Sequence, residues 1–517
     1  MSLRDSQDVE EDIDPYVYGR RWRILGVLCM SLVLVVAGNA SLNVALPVLG
    51  RDLPATQTDL QWLVDVYALI FAGLLFPAGA LGDRYGRKGA LQVGLAVFAL
   101  GAFGASTADS APAVIVMRAV MGAGAAFVMP STLSLVVVSF PRAERSKAIA
   151  IWAGFAGTGA SVGVIASGLL LEWFWWGSVF LINVPIALAA LGMGAFVLPR
   201  SRDRQGRPLD PVGTACSVVA LVGLVYGIIE GPHLGWTSPE VLRAWAVGVT
   251  ALVAFVAWER RTRFPMFDLH WFRDAGFTLG ATTIFLGFFT FFGAVFVLAL
   301  YLQLGLGYTP LQAGLVTLPL AIAVITVAPR SSGLVDRFGV RRVVTAGLLG
   351  QAVCFVLLSF ASPGISYVYL LVSFMLLGVC RALVTPPSTG QIMRATPVDR
   401  AGVGSAVNDV TREVGGALGV ALMGSILSAR YLAQISGFAS TFDGEQRRAV
   451  QYSVGRALEV AAGTPEAGRS LEAVHSAFAS GMRWSLWAAC AVCLLNALLV
   501  GKYSSDQRRC TRRRRGR

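Results

Sequence analysis

Charge is what this chain has little of. Of 517 residues only 14% are Asp, Glu, Lys or Arg, against about 25% in an ordinary soluble domain. So few charges cannot clothe a body of this size in water-facing surface. A soluble globule is excluded, and so are a disordered chain, a coiled coil and a collagenous rod. Histidine is scarce too: His233, His270 and His475 are scattered and build no metal cluster. Six of the seven cysteines (Cys29, Cys216, Cys354, Cys380, Cys490 and Cys493) lie inside apolar runs, where a free thiol is a small hydrophobe. Cys490 and Cys493 have C-x-x-C spacing, but on a lipid-embedded helix they are not read as a redox pair. A Ser/His/Asp set and a GxxxxGK[ST] phosphate loop are both lacking, which argues against an enzyme and against ATP-driven work. No metal and no cofactor is expected.

What is abundant is apolar: 55% of residues, with a mean hydropathy of +0.64. A bilayer-crossing helix needs about 20 mostly apolar residues. Fourteen such runs are present, at 24–48, 60–81, 89–107, 112–138, 147–170, 178–198, 212–230, 240–258, 276–300, 311–329, 343–361, 366–387, 403–428 and 483–501. The fold class is therefore an all-α polytopic membrane protein. The first run is too long for a cleaved signal peptide, and no A-x-A-like site follows it.

The net charge of +13 would suggest nucleic acid in a soluble protein. Here the basic residues sit in short loops between runs. With residue 1 in the cytoplasm, the inner loops hold Arg20, Arg21 and Arg23; Arg84, Arg87 and Lys88; Arg142, Arg145 and Lys147; Arg200, Arg202, Arg204 and Arg207; Arg260, Arg261, Arg263 and Arg273; and Arg330, Arg337, Arg341 and Arg342. That asymmetry places both termini inside. The tail RRCTRRRRGR is read as contacting anionic headgroups, not nucleic acid. The acidic start (Asp5, Asp8, Glu10, Glu11, Asp12 and Asp14) is read as disordered. The division expected is a cytoplasmic tail at 1–19, six spans over 20–199, a linker with two extra spans over 200–275, and six more over 276–501. Within the last block, 430–480 is an outside segment of polar to amphipathic helix. A basic tail follows at 502–517.

The chain repeats itself. Gly82-Asp83-Arg84-Tyr85-Gly86-Arg87-Lys88 returns as Val335-Asp336-Arg337-Phe338-Gly339-Val340-Arg341. Gly122 and Pro130 of span 4 return as Gly378 and Pro386 of span 12. Gly159, Gly163 and Gly168 of span 5 return as Gly415, Gly419 and Gly424 of span 13, at the same spacing. Spans 1–6 and 9–14 are thus two parallel copies, and spans 7 and 8 are an insert. Two like-oriented six-helix halves imply a pseudo-two-fold along the membrane normal, with a path between them.

At this point a family resemblance enters. The run GALGDRYGRK at 79–88 resembles the signature loop between helices 2 and 3 of the major facilitator superfamily. Fourteen spans, NVALP at 43–47, QWLVDVYAL at 61–69 and FLINVP at 180–185 are similar to its 14-helix drug/proton antiporter family. The resemblance covers about residues 20–430 and the last span. It implies proton-driven export of small lipophilic or amphipathic compounds, such as drugs or antibiotics, by a protein of the cell membrane, expected as a monomer. In the family the loop latches the cytoplasmic side. The matching residues are Gly79, Asp83, Arg84, Gly86, Arg87 and Lys88, with Asp336 and Arg337 in the second copy; a plain positive-inside anchor is the alternative. The span 5 ladder Gly159, Gly163 and Gly168 resembles the antiporter signature, though Val164 and Ser167 replace its Pro and first paired Gly. Helix packing is the other reading.

Ionisable residues inside spans are costly and are functional candidates. Asp65 of span 2 and Arg118 of span 4 lie at similar depth, are expected to pair or share a proton-linked site, and Arg118 matches a family motif tied to proton transfer. Asp409, Arg412 and Glu413 of span 13, with Arg381 of span 12, are expected to form a nearly neutral network with a structural or gating role. The acid many family members carry in helix 1 is replaced by Gly38, followed by Asn39, so Asp65 is the first candidate for proton coupling. Six phenylalanines in span 9 (Phe285, Phe288, Phe289, Phe291, Phe292 and Phe296) offer an aromatic wall for lipophilic substrates, or packing. A facilitator or uptake permease on the same scaffold is the alternative function.

Overall fold

The computed structural model describes residues 14–515 apart from Pro54, 202–209, 263–264, 266–268, Pro363 and 396–400. The acidic residues before Asp14, the linker residues Arg202, Arg204, Arg207 and Arg263, and the side chains of the basic tail lie outside that description. Among the described residues the helices are, in chain order, α1 (Pro15–Asp52), α2 (Gln57–Tyr85), α3 (Arg87–Ser106), α4 (Ala111–Ser139), α5 (Arg142–Trp173), α6 (Ser178–Leu181), α7 (Asn183–Val197), α8 (Pro211–Leu234), α9 (Pro239–Glu259), α10 (Ala275–Leu300), α11 (Pro310–Phe338), α12 (Val340–Ser359), α13 (Tyr367–Ala395), α14 (Ala401–Ala439), α15 (Gly444–Tyr452), α16 (Val454–Ala462) and α17 (Ala467–Arg515). Fourteen stretches are long and apolar enough to cross a membrane, with α6 and α7 together forming one of them. α1 to α7 make the first half, α8 and α9 the insert, and α10 to α14 with α17 the second half.

Local chemistry repeats with the halves. α2 starts on a capping box in which the Asp59 amide donates to Thr56 Oγ1 (3.1 Å) and the Thr56 amide to the Asp59 carboxylate (2.8 Å). α11 starts on the same device, Thr309 with Gln312. Such boxes satisfy amides that a helix start leaves without partners. α2 stops at Gly86 and α11 at Gly339, with φ of +127° and +83°, a region open to glycine at little cost.

The glycine ladders set how closely helices approach. At Gly159 and Gly163 of α5 a Cβ would meet the backbone of α1 at Val33 and Ala37; at Gly415 and Gly419 of α14 it would meet the backbone of α10 at Phe285 and Phe289. Gly122 seats α4 on Tyr67 of α2, and Gly378 seats α13 on Leu320 of α11. The third rung does something different. Gly168 packs across the midline on Leu311 of α11, and Gly424 packs across it on Gln61 of α2.

Those crossings lie at the end of the bundle that carries α15 and α16, here termed the cap end; the end with the arginine-rich loops is the basic end. The cap end is closed. Gln303 Nε2 donates to the Val44 carbonyl (2.9 Å) and Thr309 Oγ1 to Glu172 Oε1 (3.2 Å), both between halves. Much of the segment 430–480 extends α14 and α17, and α15 and α16 stand separately between them. The Tyr431 hydroxyl donates to the Val450 carbonyl (2.9 Å), and Val450, Val454, Ala457 and Ala461 are buried. α16 rests on α1, with Gly455 against Arg51.

Candidate functional site

Arg118 is enclosed, 0% exposed, on α4. Its Nε donates to the Leu63 carbonyl (3.0 Å), its Nη2 to Asn39 Oδ1 (2.9 Å), and its guanidinium lies 4.3 Å from the centre of the Tyr67 ring. Nη1 has no partner. A carbonyl, an amide and a ring face take the place of the carboxylate expected there. Gly38, where the family acid would stand, faces Asn183 and Phe98 inside the first half. Lysine would keep the charge of Arg118 but not two donations in different directions. Arg118→Lys is therefore expected to leave the Leu63 carbonyl or the Asn39 amide oxygen short of a donor, at about 1–3 kcal/mol of stability, read as a lower melting temperature of the purified protein.

Asp65 is also 0% exposed, but it does not pair with Arg118: neither of its oxygens has a hydrogen-bond partner among the described residues. The reason is angular. Asp65 is two residues from both Leu63 and Tyr67, about 200° round the helix. Arg118 engages one face of α2 and Asp65 occupies the other. One turn on, Ala68 and Leu69 pack with Val225 and Ile229 of α8 and with Ala417 and Ala421 of α14. One turn back, Gln61 is 0% exposed with neither amide atom bonded. The face of α2 that carries Asp65 thus meets the second half and the insert.

The second expected group does not assemble as one network either. Arg412 Nη1 and Asp409 Oδ1 form an ion pair at 3.5 Å. Among the described residues Arg381 pairs with no acid. It donates to the Gly287 carbonyl (3.0 Å) and lies 4.1 and 4.0 Å from the ring centres of Phe288 and Phe291. Arg412 shares the Phe288 ring at 4.6 Å. The aromatic run of α10 therefore holds guanidinium groups by cation–π contact, a role its apolar sequence pattern did not reveal. Glu413 is partly exposed and forms no hydrogen bond or ion pair among the described residues.

At the basic end, Arg87 Nε and Asp83 Oδ1 pair at 2.7 Å within the loop itself. The Arg87 amide and guanidinium donate to Ser201, and Lys88 Nζ donates to the carbonyls of Ala195 and Leu198. Gly79 lies against Pro130, and Gly82 against Ala90. Arg84 lies over Tyr85, and in the second copy Arg337 lies over Phe338 while Asp336 is exposed. All the hydrogen bonds of the first loop stay within the first half and its linker. Between α2, α8, α9, α10 and α14 there is a cavity of about 360 Å³, with Phe76, Leu221, Phe255, Phe285 and Val414 among its walls.

Two like-oriented six-helix halves, closed at one end and holding ionisable side chains at membrane depth, define a membrane transporter. A family model described as "Major Facilitator Superfamily" matches residues 28–420. The multidrug efflux pump LfrA of Mycolicibacterium smegmatis is 35% identical over 485 residues, 93% of this chain and 96% of that one. The tetracenomycin C resistance and export protein of Streptomyces glaucescens is 32% identical over 513 residues, 95% and 93% of the two chains. Among solved structures, a bacterial homologue of the human lysosomal transporter Spinster, inward-facing and unoccupied, superposes with a TM-score of 0.66 at 16% identity, over 95% of this chain and 98% of that one. The chain belongs to the major facilitator superfamily.

Proposed function

We propose that this protein exports hydrophobic or amphipathic small molecules, drugs or antibiotics among them, across the cell membrane in exchange for protons, by alternating access. The observation that carries the reading is the cap-end closure. Equivalent glycines, Gly168 and Gly424, each clasp the opposite half, and Gly424 does so on Gln61, one turn of α2 from a buried carboxyl group that has no partner among the described residues. The basic end is assigned to the cytoplasm by its Lys and Arg. Export relatives matching nearly the whole chain support the direction, and the apolar cavity suits lipophilic ligands. Asp65 is assigned to proton coupling, and Glu413, partly exposed and unpaired, is the acid assigned to face the path between the halves. Asp83 and Arg87 are assigned to the cytoplasmic latch, with Asp336 and Arg337 as its second copy. One charge crossing 100 mV yields about 2.3 kcal/mol, enough to drive about a fiftyfold gradient.

In proteoliposomes, dye-driven proton release is expected from the parent chain and is expected to be lost in Asp65→Asn, which still inserts and folds. Full proton release by Asp65→Asn would refute the assignment. The competing facilitator reading draws on Asn39 standing as the neutral partner of Arg118. Everted vesicles decide it: a facilitator only equilibrates the dye, whereas an antiporter concentrates it and loses that ability with an uncoupler.

A further inference from the structure

The face of α2 that bears Asp65 carries more polar groups than a helix contact needs. Gln57, Thr58, Gln61 and Asp65 all fall on it, since a helix places residues three and four apart on one side. All four are buried, at 6%, 7%, 0% and 0% exposure. Among the described residues Gln57 Nε2, Thr58 Oγ1, both amide atoms of Gln61 and both oxygens of Asp65 lack partners, and on α14 so does Ser428 Oγ, one turn beyond Gly424. Buried polar groups normally find partners, and an unpaired one costs free energy. A row of them, aligned from the cap end to one carboxyl group, marks a surface whose partner is water in another state of the molecule.

The closed seam leaves little room for that water. At its outer end a void of about 10 Å³, bounded by Gln57, Leu60 and Gly455 among others, lies under α16, space for about one molecule. Toward the basic end the apolar contact of Ala68 and Leu69 with Ala417 and Ala421 shuts the row. Beside its mouth stands the inserted helix α8. Trp62 Nε1 donates to Glu230 Oε1 (3.1 Å), the His233 ring lies 5.0 Å from that of Tyr452, and His233 Nε2 has no hydrogen-bond partner among the described residues. The titratable groups around the row are Asp59 on α2, Tyr226, Glu230 and His233 on α8, and Tyr452 on α15. α14 presents Gly424, Ser425 and Ser428 here, with Glu413 deeper, and Arg118 of α4 lies on the far side of α2.

Resting on the proton-coupled reading above, we infer that this row is the proton-entry path. When the cap ends of α2 and α14 part, water files along Gln57, Thr58 and Gln61 to Asp65, with Glu230 and His233 at the mouth. A hydronium ion gives its proton to the Asp65 carboxylate, leaving water and a neutral acid. The seam then closes on the neutral acid, because burying a bare carboxylate without a donor or cation is prohibitive. The insert thereby serves the transport cycle.

The test is the dependence of ethidium export on external pH in proteoliposomes of the full chain, with Gln61→Leu, its neutral polar counterpart Gln61→Asn, and the double variant Glu230→Gln/His233→Gln. Gln61→Leu is expected to need about tenfold more external protons for half-maximal export, with ethidium affinity unchanged; Gln61→Asn keeps a profile near that of the parent, and the double variant shifts it in the same direction as Gln61→Leu. A wild-type pH profile for Gln61→Leu, alongside an inactive Asp65→Asn, overturns the path and leaves the antiporter reading standing. Full dye-driven proton exchange by Asp65→Asn overturns the reading itself. Should Gln61→Leu fail to fold, Thr58→Cys carries the test. Labelling by a membrane-impermeant maleimide from the outside, above that of the parent chain and faster during turnover, is expected; absence of labelling in every condition overturns the path.

Discussion

Replacing Gly419 with leucine is expected to leave almost no folded protein. A Cβ at this position would lie inside contact distance of the Phe289 carbonyl oxygen, and the neighbouring atoms are also backbone. No rotamer change relieves such a clash, so α10 and α14 must separate along their length. Overpacking costs about 1–3 kcal/mol where side chains yield, and more where only backbone is available. Total stability is about 5–15 kcal/mol, and the side chains buried between α10 and α14 would part too. Size-exclusion profiles of a fluorescently tagged variant measure the outcome. Gly192, with nothing within 4 Å of a Cβ, is the control: Gly192→Leu is expected to match the parent. A monodisperse, active Gly419→Leu would show that the halves are not built on these approaches.

The second large effect is functional. Gly168→Leu and Gly424→Leu are expected to fold and yet to export almost nothing. A Cβ at Gly168 would lie 3.0 Å from the Leu311 Cα, and one at Gly424 2.5 Å from the Gln61 Cδ. Both contacts are between halves, so the added side chain penalises the cap-closed state alone. About 3 kcal/mol placed there moves the balance between states roughly a hundredfold. The variants should therefore dwell cap-open. Greater maleimide labelling of a cysteine at Thr58, together with loss of export, is the measurement; unchanged export in both variants would contradict the clasp.

These two predictions concern rungs of one ladder, which shows how far the sequence could be read. The repeat of Gly159, Gly163 and Gly168 as Gly415, Gly419 and Gly424 was visible, and so were the fourteen spans and the two-half plan, because span length and exact spacing survive in one dimension. Which helix each glycine touches was not visible. The first two rungs grip their own half and the third grips the other, although all are glycines in the same apolar setting. Depth was likewise legible where direction was not. Asp65 and Arg118 do lie enclosed on adjacent helices, but the pair does not form because Arg118 of α4 engages one face of α2 and Asp65 stands on the other. In water a helix reveals its buried face by contrast with a polar one. In a bilayer lipid and protein interior are both apolar, so the contrast is weak and residue azimuth stays hidden. The same blindness concealed the Phe288 and Phe291 sandwich around Arg381 and the neutral partner Asn39.

The two clasps match by symmetry but differ in what surrounds them. α8 flanks the α2–α14 clasp, where Ser425 Oγ donates to the Ile228 carbonyl and Trp62 reaches Glu230. Among the described residues the α5–α11 clasp has no inserted helix beside it, whereas α8 packs on both α2 and α14. From the membrane side, hydrocarbon chains can reach the first clasp, and a protein wall shields the second. Acyl-chain length and stiffness should act on this molecule lopsidedly, loosening or tightening the Gly168 side while the Gly424 side is insulated from them.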